Sequence, residues 1–178
     1  MTTTDSVRHE GCRWFVASSV PMNADGFTWS TPIPESEGAE YGAHTLTVNG
    51  LPTVYRTAKT TPTKLGQFVT LWRRSEAGPI RPFDIGDRVM LFVVKVYDEE
   101  HSGHFVFPVE TLVEHDIVST NFSGGKRAVR VYAPWVTPTS AQAVRTQRWQ
   151  IRHFGEFPDV LSSTVFSSTA FSSTDTSR

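Results

Sequence analysis

Cations gather in two stretches of this sequence, and their type and density are those that bind phosphate. Between His44 and Arg81 stand six of them (Arg56, Lys59, Lys64, Arg73, Arg74 and Arg81) against a single acid, Glu76. Between Ile117 and Phe154 stand six more (Lys126, Arg127, Arg130, Arg145, Arg148 and Arg152) with no acid at all. The intervening stretch, Pro82 to Asp116, reverses the balance with eight acids against Arg88 and Lys95. The whole chain carries a net charge of only −1, so any attraction for a polyanion must come from how these blocks are arranged in space. Charge blocks of this kind are often no more than solvated faces. If folding brings the two basic stretches together, their fields add and the joint surface suits phosphate.

Under that reading Arg56, Lys59, Lys64, Arg74, Lys126, Arg127, Arg130, Arg145, Arg148 and Arg152 contact phosphates, and Gln67 reaches a phosphate or a base edge. Ser123-Gly124-Gly125-Lys126-Arg127 adds glycine amides to cations, the composition of a phosphate cradle. It is not a Walker loop, because Arg127 follows Lys126 and Thr120 occupies the place of the first glycine. Trp72, Tyr132, Trp135 and Trp149 lie among these cations and suit stacking on exposed bases, worth ~1–3 kcal/mol each. Core packing competes for every one of these rings, and most of all for Trp72.

Other chemistries find less support. Asp98 to His104 has the composition of a metal site but sits where a polar hairpin turn belongs. His115-Asp116 reads as a helix-end cap rather than a catalytic dyad. There is no Gly-x-Ser-x-Gly elbow and no dinucleotide fingerprint. Cys12, the one cysteine, has no Cys/His signature around it and rules out an internal disulfide, which suits a reducing compartment. The longest apolar run, Val89 to Val94, falls far short of the ~20 residues that span a bilayer. The N-terminal residues lack the basic-then-apolar layout of a secretion signal. A cytoplasmic chain with no membrane partner is therefore expected.

The elements that must position these residues can be read from periodicity and breakers. At 178 residues the chain fits one domain. Residues 1–29 read as an extended arm with one possible strand at Arg13 to Ala17. Ala43 to Val48 and Thr53 to Ala58 read as a hairpin about Asn49-Gly50, its turn lengthened by Leu51-Pro52. Thr60 to Lys64 reads as a loop, and Gln67 to Arg73 as a strand. Arg88 to Tyr97 is apolar enough for a central strand covered on both faces. His104 to Phe107 pairs back on it, and Pro108 opens a short helix ending near His115 with Leu112 facing inward. Asn121 to Lys126 is a glycine loop, and Arg127 to Tyr132 a further strand. Pro134 and Pro138 frame a loop around Trp135. A helix runs from Ser140 to about Phe154, capped by Thr139 or Ser140. At about 100° per residue it gathers Ala143, Val144, Ile151 and Phe154 on a packing face and Arg145, Arg148 and Arg152 on the next. From residue 158 the Ser-Ser-Thr repeats read as a disordered tail.

Five blocks of this sequence, in order, resemble the MepB family. They are Ala39 to Ala43, Tyr55 to Arg74, Gly103-His104-Phe105-Val106-Phe107-Pro108, the run from Gly125 to Trp135, and Thr146-Gln147-Arg148-Trp149-Gln150. The likeness covers roughly residues 30–157, taken as the domain, and departs at Ala133, where the family usually places a second proline. The founding member is encoded beside a multidrug efflux pump and its regulator. The resemblance implies an α/β fold, a mixed β-sheet with flanking helices of the restriction-endonuclease-like PD-(D/E)XK type, and nucleic-acid binding.

A nuclease of that type needs two acids for a divalent metal and a lysine near the attacking water. Glu40 precedes the hairpin and Lys59 ends its second strand, so these are the catalytic candidates the resemblance implies. Asp87 joins Glu40 as the second metal ligand. The acid expected two residues before Lys59 is instead Thr57, which leaves the set incomplete. The expectation is thus a binding protein, for DNA foremost, on a nuclease-like frame without a cofactor. A magnesium-dependent nuclease is the alternative, and an accessory protein binding a cationic drug the third reading, which would need an acidic, aromatic pocket.

Overall fold

A computed structural model describes residues 28–75, 78–155 and 160–161. Of the expected arm only Thr28 and Trp29 are among them, and of the expected tail only Val160 and Leu161. Cys12, Glu76 and the strand read at Arg13 to Ala17 lie outside the described residues.

The core is a six-stranded mixed sheet in the order β1-β2-β3-β8-β9-β11. Its strands are β1 (Ile33–Pro34), β2 (His44–Val48), β3 (Leu51–Thr57), β8 (Leu91–Tyr97), β9 (Ser102–Pro108) and β11 (Phe154–Gly155). All neighbours pair antiparallel except β3 with β8. A parallel pair needs a long crossover. Here the crossover is itself β-structure: β4 (Lys59–Thr61), β5 (Lys64–Thr70), β6 (Trp72–Arg74) and β7 (Ile80–Pro82). Strand β10 (Ala128–Val131) joins β5 and β4 in a second sheet, and β6 pairs with β7 in a third. Helices among the described residues are few: α1 (Val109–Glu114), α2 (Ala141–Gln150) and three short 3-10 turns. Among the described residues no helix is long and apolar enough to cross a membrane.

The apolar run over β8 behaves as its composition demands. Phe92, Val94 and Val96 enter a core with Val54, Val69, Phe105, Phe107 and Leu112, while Leu91 and Val93 enter a second core with Leu46, Val48 and Tyr55. The second core also contains Val160, 3 % exposed, and is flanked by Trp29. Packing therefore reaches beyond residue 157, the boundary read from the sequence.

Two turns differ from expectation. Asn49 and Gly50 both take positive φ, 48° and 79°, as a two-residue type I′ turn requires, and Val48 pairs directly with Leu51. Leu51 and Pro52 thus belong to the strand rather than the turn. The stretch Thr60 to Lys64, read as a loop, is a second hairpin around Pro62-Thr63. Its register shifts between Thr60 and Thr61, and Gly66 on the partner strand takes φ of 75°. An alanine there would drive its Cβ to 2.6 Å from the Tyr132 ring, so glycine is required.

Candidate nucleic-acid interface

The two basic stretches meet very different fates. In the first, cation after cation is neutralised. Arg56 is 3 % exposed and grips Glu35 with both terminal nitrogens, at 2.8 and 2.9 Å. Arg74 Nε donates to both oxygens of Glu37 at 2.9 and 3.0 Å. Lys59 reaches Glu40 at 3.5 Å and lies 4.6 Å from the centre of the Tyr41 ring. Arg81 holds Asp87 through two bonds of 2.7 Å, and Arg73 approaches the same carboxylate at 3.6 Å. Lys64 alone of this stretch forms no ion pair among the described residues. In the second stretch none of Lys126, Arg127, Arg130, Arg145, Arg148 or Arg152 forms one among the described residues.

Three of those cations, Lys64, Lys126 and Arg130, line a groove of about 880 Å³ between the β4–β5 hairpin, β10 and α2. Lys64 enters it from the first stretch, Lys126 and Arg130 from the second, with His115, Tyr132 and Trp149 beside them. Among the described residues no carboxylate lines it. Arg130 is aimed by the carbonyls of Lys64, Leu65 and Gly66, which accept from its Nη1 at 3.3, 3.3 and 2.9 Å. Lys126 Nζ donates to the His115 carbonyl at 3.2 Å. Tyr132 lies across Gly66, which is why its ring can occupy the wall.

His115, the C-cap of α1, stacks on Trp149 with ring centroids 3.9 Å apart. Burial holds its imidazole below the ordinary value of 6.5. Glu114 opposes that, and the charges of Lys126 and Arg152 add to it. His153 is lowered for the same first reason, with Arg152 and His115 contributing. Lys126 and Arg152 thus place positive charge beside His115 on one wall of the groove.

Helix α2 is oriented by glutamines, which the apolar pattern did not reveal. Ser140 caps it, accepting from Ala143 N at 3.2 Å, as expected. The helix ends at Gln150, short of Phe154, which belongs to β11. Val144 and Ile151, expected to pack, are exposed, whereas Gln150 is 1 % exposed. Its carboxamide accepts from Tyr132 N at 2.9 Å and donates to Arg130 O at 3.0 Å, serving β10 as a neighbouring strand would. Gln147 donates to the carbonyls of Ala133 and Val136. The helix therefore turns Gln142, Thr146 and Trp149 toward the groove. Arg145, Arg148 and Arg152 project from the adjoining exposed column.

Several expected contacts are committed elsewhere. Gln67 is buried, and its carboxamide binds both the N–H and the carbonyl of Tyr97, at 3.1 and 2.8 Å, tying the second sheet to β8. Arg127 is exposed just before β10. Trp135 does not line the groove; it stacks on His101 at 5.0 Å and meets Phe154 edge-on. Trp72 is half-buried in β6. Of the glycine cradle, the Gly125 amide donates to Asp116 and the Lys126 amide to Ile117 O, so neither faces a ligand. Asp98 accepts from the amides of Glu100 and His101, as a hairpin turn demands.

The nuclease residues divide likewise. Glu40 and Lys59 stand together, but Asp87 is held by Arg81, Arg73 and the Asp84 N–H. Among the described residues no three His, Cys, Asp or Glu are grouped to hold a metal ion, so the side chains present do not fit the metal centre.

Sequence reasoning also missed Asp84, a carboxylate 4 % exposed. It accepts from Gly86 N, Ser119 Oγ and Phe122 N at 2.9, 2.7 and 2.7 Å. Burial alone would raise its pKa, but these bonds and the Arg81 charge outweigh it and the net shift is downward. Asp84 thereby pins the loop that leads into Lys126, where Asn121 and Phe122 hold positive φ. The acid-before-glycine pattern of Asp84-Ile85-Gly86 was the available signal.

These features can now be set beside known proteins. No curated protein matches the sequence. A solved structure described as the crystal structure of MepB superposes with a TM-score of 0.68 at 36 % identity, covering 71 % of this chain and 85 % of the other. The profile of the MepB-like family matches residues 35–156, a span that holds every strand from β2 to β11, both helices and the whole lining of the groove. With both fold and sequence in agreement over that span, the chain belongs to the MepB-like family.

Proposed function

We propose that this protein is a cytoplasmic nucleic-acid-binding protein, for DNA foremost, that keeps a nuclease-like frame without a complete catalytic acid set. One observation carries the reading: Lys64, Lys126 and Arg130, from stretches far apart in sequence, share a groove with no carboxylate in its lining. The cations of the first stretch that are cancelled by Glu35, Glu37, Glu40 and Asp87 take no part in it. Phosphates in the groove displace counterions, so affinity must fall steeply with salt. Fluorescence anisotropy of labelled oligonucleotides across a salt series tests this. A linear fall of log K with log salt, lost in the double variant Lys64→Glu, Lys126→Glu, is expected. A flat response would sink the proposal.

A second reading has one observation behind it, the proximity of Glu40 and Lys59. The engagement of Asp87 by two arginines weighs against it. Plasmid cleavage in magnesium or manganese, abolished by Lys59→Ala and by Glu40→Ala, would promote that reading over the first.

A further inference from the structure

A second cavity, of about 410 Å³, opens across the β4–β5 hairpin from the groove. Thr63, Lys64 and Leu65 line both, so the tip of one hairpin is the wall between them. The two differ in character. The groove has three cations and, among the described residues, no acid, whereas the second cavity has Lys64 alone and is bounded also by Trp135, Tyr97, Val136 and Asp98. An anionic backbone is favoured in the first and opposed in the second by Asp98. An uncharged aromatic ring suits the second.

An independent observation points the same way. Among the described residues the hydroxyl of Thr61 is a buried side-chain polar atom without a hydrogen-bond partner, and Thr61 lines this second cavity. The register shift between Thr60 and Thr61 takes it out of the regular hairpin ladder. A buried hydroxyl left unpaired is unfavourable, and a bound group that hydrogen-bonds it recovers that loss. Gln67 also lines the cavity, but Tyr97 and Thr60 already occupy its carboxamide.

We infer that this cavity receives one unpaired nucleobase of a strand whose phosphates lie in the groove, an inference that rests on the phosphate-binding reading of the groove. Trp135 and Tyr97 supply ring surface, and the Thr61 hydroxyl meets an edge of the base. Asp98 Oδ1 already accepts the Glu100 and His101 amides at 2.9 and 2.7 Å, while Oδ2 accepts only the longer 3.3 Å approach of His101 Nδ1. A carboxylate oxygen with a lone pair to spare accepts from an exocyclic amino group. The substrate class is therefore single-stranded or locally unpaired nucleic acid, with adenine, cytosine or guanine preferred over thymine or uracil at this position.

Nucleosides, which carry no phosphate, separate the cavity from the groove. Titration of the full chain with adenosine, cytidine and thymidine, followed by tryptophan fluorescence and calorimetry, is expected to show saturable binding that salt does not weaken, with thymidine weakest. Thr61→Val keeps the shape and removes the hydroxyl. It should weaken nucleoside binding about fivefold while thermal unfolding is unchanged or raised. Asp98→Asn should level the preference between cytidine and thymidine. An abasic position in a single-stranded oligonucleotide should reduce its affinity roughly tenfold. If salt-dependent oligonucleotide binding persists but nucleosides do not bind and Thr61→Val changes nothing, the base pocket is overturned and the groove stands. If oligonucleotides do not bind at all, the groove reading fails and the pocket's role in strand binding fails with it. Binding of a cationic amphiphilic dye to the cavity in place of nucleosides would also overturn the base assignment.

Discussion

His115 and Trp149 lie face to face, their ring planes within 15° of parallel, with Lys126 and Arg152 near enough to depress the histidine's protonation. The pair joins the end of α1 to the last turn of α2 and forms one wall of the basic groove. Its acid–base behaviour has two opposite consequences.

Both His115 and His153 have pKa values below their ordinary 6.5 in the folded protein, so the unfolded chain binds protons more readily. Their contribution to stability is fully present above 6.5 and is lost as the pH falls from there through the lower folded values. Denaturant unfolding at pH 8 and pH 5.5 should show the lower stability at pH 5.5. The double variant His115→Gln, His153→Gln should lessen that difference. Phosphate binding should run the other way, strengthening as His115 gains charge, with the increase absent in His115→Gln.

The charge map separates cations without an ion pair among the described residues from cations already neutralised. Lys126→Ala should lower the salt slope of oligonucleotide binding by about one counterion, uniformly across sequences. Arg74→Ala should leave that slope unchanged, because Glu37 already neutralises it. Arg56→Met should leave it unchanged too, but leaves Glu35 unpaired and should cost about 3 kcal/mol in denaturant unfolding. A loss of slope in Arg74→Ala equal to that in Lys126→Ala would contradict this division.

Replacing Gln150 with Leu keeps the volume but strands the Tyr132 N–H and the Arg130 carbonyl. A destabilisation of about 1–3 kcal/mol is expected, read by thermal unfolding, together with faster amide exchange at Tyr132. An unchanged midpoint would show that α2 is held by its apolar contacts alone.

Asp84→Ala removes three accepted hydrogen bonds at once. It should cost about 3 kcal/mol and raise hydrogen exchange at Phe122 and along the loop that delivers Lys126. Asp84→Asn, which keeps an acceptor, should fall between the two proteins in both measurements.

Much of the fold was legible because its signals are local. Asn49-Gly50 announces its own turn, the apolar run from Arg88 to Tyr97 announces burial on both faces, and Ser140 announces a helix start. What escaped is decided at a distance. Thr60 to Lys64 becomes a hairpin because Gly66 permits the shifted register, which no propensity reports. Val144 and Ile151 lose the inward face of α2 to Gln147 and Gln150 because β10 and the loop after it present backbone groups that need partners. Counting charges found the two basic stretches but not their pairing. Glu35 meets Arg56 across 21 residues and Glu37 meets Arg74 across 37, so neutralisation appears only once the chain is folded.

That neutralisation shapes how the molecule behaves before it touches anything. A chain of net charge −1, with some cations cancelled by carboxylates and three bare ones lining one groove, carries its charge unevenly. A distant polyelectrolyte draws it weakly but turns it strongly, so collisions become productive by rotation rather than by bulk attraction. On the proposed function, such a protein would resist indiscriminate coating of anionic surfaces, with its groove-bearing side leading on approach.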